Sequence, residues 1–207
     1  MDSNTCASRL ITSIIGIGTA FFLWYLVFLT DFLGNFWYRM GISVTILIVY
    51  VTLIDKRQMI VELKARRLHH LGLGIISALI LYILFLTGFM LMRPILEEGA
   101  RLMYRYKFET ASGLIAILLL FTSFGEEYFW RGFLQRRLCE KYGPLGITLT
   151  TVAYTLVHVP TFNVTLMSAA LVAGLYWGVL YFKFRSLWAV IVSHIVWTEL
   201  IFVFLPL

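Results

Sequence analysis

Long apolar stretches dominate the chain and predict membrane-spanning helices. A transmembrane helix needs about 20 mostly apolar residues. We interpret the first stretch as a retained helix, because no small-residue cleavage site follows it before Asp31 and Phe32. The fifth is the weakest, since it is short and rich in threonine. The predicted spans are Leu10–Leu29, Phe36–Ile54, Leu71–Met92, Ala111–Trp130, about Leu145–Val159, Phe162–Phe182 and Leu187–Leu205.

This pattern predicts an all-α fold, a polytopic membrane bundle of about seven transmembrane helices. The sequence shows no internal repeat, low-complexity tract or linker, so we expect a single domain over residues 1–207. Composition agrees, since 60% of the residues are apolar and 14% are charged, against about 45–50% and 25% in soluble domains. A soluble fold and a disordered chain are thereby excluded.

The chain has a net charge of +6, and basic residues cluster after the second, fourth and sixth predicted spans. They do not alternate with exposed aromatic residues, so we expect no nucleic-acid partner. The positive-inside rule places these segments and the N-terminus in the cytoplasm. Cys6 and Cys139 then lie near a reducing compartment, and we expect no disulfide. The basic residues are Lys56, Arg57, Lys64, Arg66 and Arg67; Arg131, Arg136, Arg137 and Lys141; and Lys183 and Arg185.

Two adjacent glutamates near the end of the fourth span are the first candidates for chemistry. An ionisable side chain in hydrocarbon costs at least about 2.5–3.5 kcal/mol, so its presence needs a reason. Glu127 and Arg131 are four residues apart and can pair on one helix face. Glu126 projects about 100° away and lacks such a partner. We therefore predict an orienting pair, Glu127 with Arg131, beside a reactive carboxylate, Glu126.

Two histidines occupy other predicted spans, His158 in the fifth and His194 in the seventh. With Glu126 they fit a water-activating acid–histidine dyad with an oxyanion donor. They also fit a site in which Glu126, His158 and His194 bind a divalent metal such as zinc. Their types alone leave both open. Their depths agree only if the fourth helix extends toward Leu138 and the fifth starts later than Leu145.

Three motifs, each on its own apolar helix, resemble the CPBP family of intramembrane proteases, which includes the CAAX prenyl endopeptidases and the Abi-type bacterial proteins. They are Glu126-Glu127-Tyr128-Phe129-Trp130-Arg131, Tyr154-Thr155-Leu156-Val157-His158 and His194-Ile195-Val196-Trp197-Thr198. The resemblance covers roughly Leu114 to Phe204 and implies a catalytic core at about 111–207 around an intramembrane cavity.

The resemblance implies hydrolysis of a peptide bond in a membrane-associated peptide or protein. Glu126 and His158 would activate water, while His194 and the residue at position 198 would hold the oxyanion. Glu127 and Arg131 would fix the helix and the carboxylate. The glutamate mechanism needs no cofactor. We expect a multi-pass protein of a bacterial or archaeal plasma membrane, in contact with lipid and its substrate.

Two residues depart from the family pattern. Tyr154 replaces the usual phenylalanine and adds a hydroxyl that needs a partner. Thr198 replaces asparagine or aspartate, and losing one oxyanion donor costs about 2.7–4 kcal/mol in the barrier. Thr198 therefore also fits the alternative function, a non-catalytic membrane partner or immunity-type protein of the same fold. The residues do not identify the substrate.

Overall fold

Apolar runs separated by short polar turns fold into a bundle of helices. The structure, a computed structural model, describes residues 3–32, 34–65 and 67–207, with side chains from residue 7 onward. Arg66 and the side chain of Cys6 lie outside this described part. The α-helices are α1 (Ser3–Leu29), α2 (Phe36–Lys64), α3 (Leu68–Tyr104), α4 (Ser112–Glu127), α5 (Arg136–Tyr142), α6 (Leu145–Leu156), α7 (Val164–Phe184) and α8 (Leu187–Thr198).

Helical segments of other types join or extend these helices. Two π-helical segments, Tyr128–Gln135 and Glu199–Phe204, continue α4 and α8, and 3₁₀ turns lie at Arg105–Phe108 and Val159–Thr161. Side chains cap the starts of three helices, since Asn35, Asn163 and Ser186 each accept a hydrogen bond from a backbone N–H in the first turn. The prediction of an all-α polytopic bundle is confirmed.

Six helices in the described residues are long and apolar enough to cross a membrane. The exception is α6, the fifth span predicted over Leu145–Val159. Its 12 residues rise about 18 Å, less than a hydrocarbon core of about 30 Å. It begins beside Pro144 and ends before Pro160, which has no N–H to continue a helix. The fifth span is therefore corrected to a short helix.

The fourth helix continues well beyond its predicted end at Trp130. Its segments α4, the π-helical segment Tyr128–Gln135 and α5 run on as one helix over Ser112–Tyr142. The helix passes Leu138, as the depth comparison required, whereas α6 still begins at Leu145. Glu126 lies about 24 Å from Tyr142, and His158 about 20 Å from Leu145. The longer fourth helix alone brings these depths together.

The outer surface is apolar and the interior contains the polar groups. Large apolar side chains such as Leu53, Leu68 and Leu91 are 79–84% exposed, whereas Glu127 and Arg131 are completely buried. A soluble monomer rarely exposes large contiguous apolar patches. Hydrocarbon around the helices explains this arrangement, because lipid solvates the outer side chains and leaves polar groups to pair inside.

The basic segments gather at one end of the bundle, which we call the basic end and define by residues 55–64, 136–141 and 183–188 together with Arg9. Trp188 Nε1 donates to the Leu63 carbonyl at 2.8 Å, and Arg9 pairs with Glu140 at 2.6 Å. At the opposite end, Trp37 Nε1 donates to the Tyr106 carbonyl at 2.8 Å. Which end faces the cytoplasm stays a prediction.

Candidate active site

Glu127 and Arg131 form an ion pair in the centre of the bundle. Arg131 Nη1 donates to Glu127 Oε1 at 2.8 Å, and both side chains are 0% exposed. Arg131 Nη2 donates to the Gly174 carbonyl at 3.0 Å, so the pair also ties the fourth helix to α7. The two charges neutralise each other, which makes their burial in an apolar bundle tolerable. This is the contact that their four-residue spacing predicts.

His194 attaches to the same carboxylate from α8. Its Nδ1 lies 2.8 Å from Glu127 Oε1, and an ionised carboxylate only accepts, so Nδ1–H donates. The imidazole stacks on Trp177 with ring centroids 3.9 Å apart. Among the described residues, Nε2 of His194 has no hydrogen-bond partner. Glu127 therefore fixes the imidazole through Nδ1 and Trp177 fixes it through one ring face, while Nε2 can hydrogen-bond to a bound substrate.

Glu126 occupies different surroundings from its neighbour. The side chain is buried, with 7% exposure, and within the described residues it forms no ion pair. The Tyr154 hydroxyl donates to Glu126 Oε2 at 3.0 Å, which supplies the partner that this tyrosine needs. Oε1 has no hydrogen-bond partner in the same described part of the chain. Glu126 thus combines one anchored oxygen with one unoccupied oxygen.

His158 is held at both of its ring nitrogens. Nδ1 lies 2.8 Å from the Tyr154 carbonyl, and Nε2 lies 3.2 Å from Nε1 of Trp24 on α1. A carbonyl only accepts and an indole N–H only donates. His158 is therefore the neutral tautomer with its proton on Nδ1, and its Nε2 lone pair is occupied by Trp24.

The hydroxyl of Thr198 is already used within α8. Its Oγ1 donates to the His194 carbonyl one turn earlier at 2.7 Å. Its oxygen in turn accepts a long contact of 3.5 Å from Ser123 Oγ. In this arrangement Thr198 offers no free hydrogen to an oxyanion, whereas an asparagine at the same position would have two amide hydrogens.

The predicted alternative of a metal site does not fit the geometry. Within the described residues, no three His, Cys, Asp or Glu side chains form a group that could hold a metal ion. Both nitrogens of His158 and Nδ1 of His194 are engaged by protein groups. We derive no step from a metal at Glu126, His158 and His194.

Sequence reasoning brought these motifs together but missed two tryptophans. Trp24 contacts His158, and Trp177 stacks on His194 and donates to Ser193 Oγ at 3.1 Å. Each lies in a long apolar run, where an aromatic side chain usually packs in a core or faces lipid. Their sequence positions carry no signal for a histidine partner.

The fold and this buried cluster are those of a multi-pass membrane protein with acidic and imidazole groups inside its bundle. Residues 108–199 match the family model described as type II CAAX prenyl endopeptidase Rce1-like. This stretch contains all three motifs, and over these residues the match supports the predicted resemblance to the CPBP/CAAX family of intramembrane endopeptidases. No curated protein and no solved structure matches the chain significantly.

Proposed function

We propose that this protein hydrolyses a peptide bond of a membrane-associated protein or peptide with water activated by Glu126 and His158. The observation that carries the proposal is the buried Glu126 carboxylate, which accepts from Tyr154 at Oε2 and, among the described residues, has no hydrogen-bond partner at Oε1. Oε1 would take a proton from water while the hydroxide attacks the substrate carbonyl carbon. The same proton would then pass to the leaving amine.

Glu127 and Arg131 are proposed to position the site and take no part in proton transfer. Glu127 Oε1 accepts from both Arg131 and His194, so one atom fixes the relation between the fourth helix and α8. His194 would donate to the oxyanion from Nε2, which requires a proton on that atom as well. Thr198 would assist only after its hydroxyl leaves the His194 carbonyl.

His158 needs one local change before its Nε2 can accept a hydrogen bond from the attacking water and orient it. Its Nε2 lone pair faces the Trp24 indole N–H, so a water molecule must replace that contact. We propose that substrate entry beside α1 separates Trp24 from His158. The helix that contributes Trp24 lies outside the segment matched by the family model.

A prenylated CAAX protein, a secreted peptide precursor and a membrane-anchored sorting tail all fit this chemistry. Matched reporter peptides, one farnesylated and one not, would separate the first from the others. Mass spectrometry of products from the purified protein in lipid vesicles would locate the cleaved bond. Cleavage that persists after chelator treatment would agree with a glutamate mechanism without a cofactor, and loss restored by zinc would contradict it.

The alternative is a non-catalytic membrane partner or immunity-type protein. Two observations favour it: the Thr198 hydroxyl is committed to a backbone carbonyl, and the His158 lone pair is occupied. In that case, replacing Glu126 with glutamine would leave the cellular function intact. Loss of function in a cell that still inserts the variant would reject the alternative.

A further inference from the structure

Two adjoining cavities lie at the basic end, remote from the Glu126 cluster. The larger, of about 470 Å³, lies among Arg9 of α1, residues 55–61 of α2 and Arg136 of α5. The smaller, of about 130 Å³, is lined partly by Leu10 and Leu138. Both share Arg9 and Glu140 as walls. A polar chamber therefore adjoins a more apolar one, and the larger falls within the usual 300–1,000 Å³ of ligand sites.

The cavity walls carry an excess of positive charge. Five cationic side chains and two carboxylates line the two chambers, a net charge of +3. Both carboxylates are occupied by arginines. Asp55 Oδ2 accepts from Arg136 and Arg137, and the two oxygens of Glu140 accept from Arg136 and Arg9. The cations are Arg9, Arg57, Arg136, Arg137 and Lys141.

Arg57 supplies part of the positive charge that these pairs do not neutralise. It lines the larger cavity, is exposed, and forms no ion pair within the described residues. The backbone of α2 departs from helical geometry two residues earlier, at Asp55, with φ −137° and ψ 26°. Asp55 is anchored at this kink by Arg136 and Arg137. The bend and its ion pairs fix Asp55, Arg136 and Arg137 around an open pocket that Arg57 also lines.

We propose that these chambers bind the phosphate of an anionic phospholipid, with the headgroup in the larger and the start of an acyl chain in the smaller. A guanidinium matches two phosphate oxygens through parallel hydrogen bonds. Basic pockets between membrane helices are suited to anionic headgroups. The site lies at the ends of α1, α2 and α5, where a bilayer places its phosphates. This inference is independent of the proposed peptidase activity.

Native mass spectrometry of the full-length chain in detergent tests the site. The protein is mixed with phosphatidylglycerol and phosphatidylcholine that carry identical acyl chains. We expect preferential retention of phosphatidylglycerol, and about tenfold weaker retention in Arg57→Gln, because charge-assisted contacts are lost. Arg57→Gln removes no observed ion pair, so folding is preserved. Arg105→Gln, an exposed arginine at the opposite end, is the matched control and should retain phosphatidylglycerol like the wild type.

Competition with inorganic phosphate separates the two sources of this ligand chemistry. If millimolar phosphate does not displace phosphatidylglycerol, the lipid headgroup is the ligand. Displacement identifies a site for free phosphate, which supports the phosphate chemistry and rejects the acyl-chain chamber. Equal retention of the two lipids, or equal losses in Arg57→Gln and Arg105→Gln, would overturn the proposal.

Discussion

Glu126 and Glu127 are neighbours in the chain but have opposite surroundings. Glu127 Oε1 accepts hydrogen bonds from a guanidinium and an imidazole, both at 2.8 Å, whereas among the described residues the one hydrogen-bond partner of the Glu126 carboxylate is the Tyr154 hydroxyl, at 3.0 Å. The 100° turn between consecutive helical residues separates them. One helix thereby holds a structural carboxylate and a carboxylate suited to proton transfer.

The first prediction concerns Trp24. Trp24→Phe keeps an aromatic ring but removes the N–H that occupies Nε2 of His158. A hydrogen bond between neutral groups contributes about 1 kcal/mol, so we expect kcat to rise by up to about fivefold with KM nearly unchanged. Steady-state cleavage of a reporter peptide measures both constants.

Trp37→Phe is the matched control, since Trp37 is also a buried indole that donates one hydrogen bond, but it lies at the end opposite the basic end. It should lower thermal stability without raising kcat. A fall in kcat for Trp24→Phe at unchanged stability would show that Trp24 supports catalysis and would refute the idea that it restrains His158.

The second prediction concerns the buried ion pair. Arg131→Gln leaves Glu127 as an uncompensated charge in the bundle centre, which should destabilise the protein by about 3–5 kcal/mol. Arg93→Gln breaks a pair of the same i, i+4 spacing whose side chains are 64% and 44% exposed, and should change stability by less than about 1 kcal/mol. Unfolding in detergent compares the two, and similar losses would contradict this account of Glu127.

At the scale of elements, close helix contacts bring the motifs together. Gly174 and Gly178 lie one turn apart on α7 and face α6. A Cβ at Gly174 would lie 3.0 Å from the Tyr154 ring, and one at Gly178 2.9 Å from Ile147, so α6 packs tightly on α7. The carbonyls of both glycines also accept hydrogen bonds from the fourth helix, through Arg131 and Gln135. Small residues permit this close approach.

The third prediction tests how α6 is placed. A Cβ at Gly146 would lie 2.5 Å from the backbone nitrogen of Cys139, and backbone cannot move aside as a side chain can. Gly146→Ala should therefore lower stability by about 1–3 kcal/mol and reduce cleavage, because α6 carries Tyr154 and leads to His158. Gly88→Ala meets nothing within 4 Å and should keep both properties. Equal behaviour of the two variants would contradict the tight contact.

The length of the apolar runs predicted most of the membrane-spanning helices. It failed for α6, which is too short to span the membrane. For α6, the sequence shows an apolar run bounded by Pro144 and Pro160, but the run does not reveal that the helix ends after 12 residues, with one face buried against its neighbours and the other exposed. The π-helical segment Tyr128–Gln135 was equally hidden: all eight of its residues are buried, and no pattern in the sequence marks the change of helix type.

At the scale of the whole molecule, charge asymmetry is the clearest feature. Among the described residues, the basic residues that follow the second, fourth and sixth predicted spans lie at one end of the bundle, except Arg131, which is buried at its centre with Glu127. Their number and position were readable from sequence. The ion pairs that organise them were not, because Asp55 pairs with Arg136 and Arg137 more than 80 positions away.

The fourth prediction tests orientation. In a chain with both native cysteines replaced by serine, Lys64→Cys should react with a membrane-impermeant maleimide only after the cells are permeabilised. Arg105→Cys, at the opposite end, should react in intact cells. This follows from retention of basic segments on the cytoplasmic side. The reverse pattern of labelling would invert the predicted topology.

The motifs identified the residues that converge, since their types and order were visible in the chain. The motifs did not reveal which hydrogen bonds each of these residues forms. The occupied lone pair of His158 and the committed hydroxyl of Thr198 depend on Trp24 and on a helix carbonyl, and neither partner carries a recognisable signal in sequence.

The rate at which the Glu126→Gln variant cleaves a substrate tests the central claim most directly. The substitution preserves size and removes the proton acceptor, so turnover of a substrate that the wild type cleaves should fall by about 10²–10⁴-fold, while the unfolding temperature stays similar. Glu62→Gln, a partly buried glutamate at the basic end, should retain turnover. A folded Glu126→Gln protein that cleaves at the wild-type rate would contradict the assignment of Glu126 as the catalytic base.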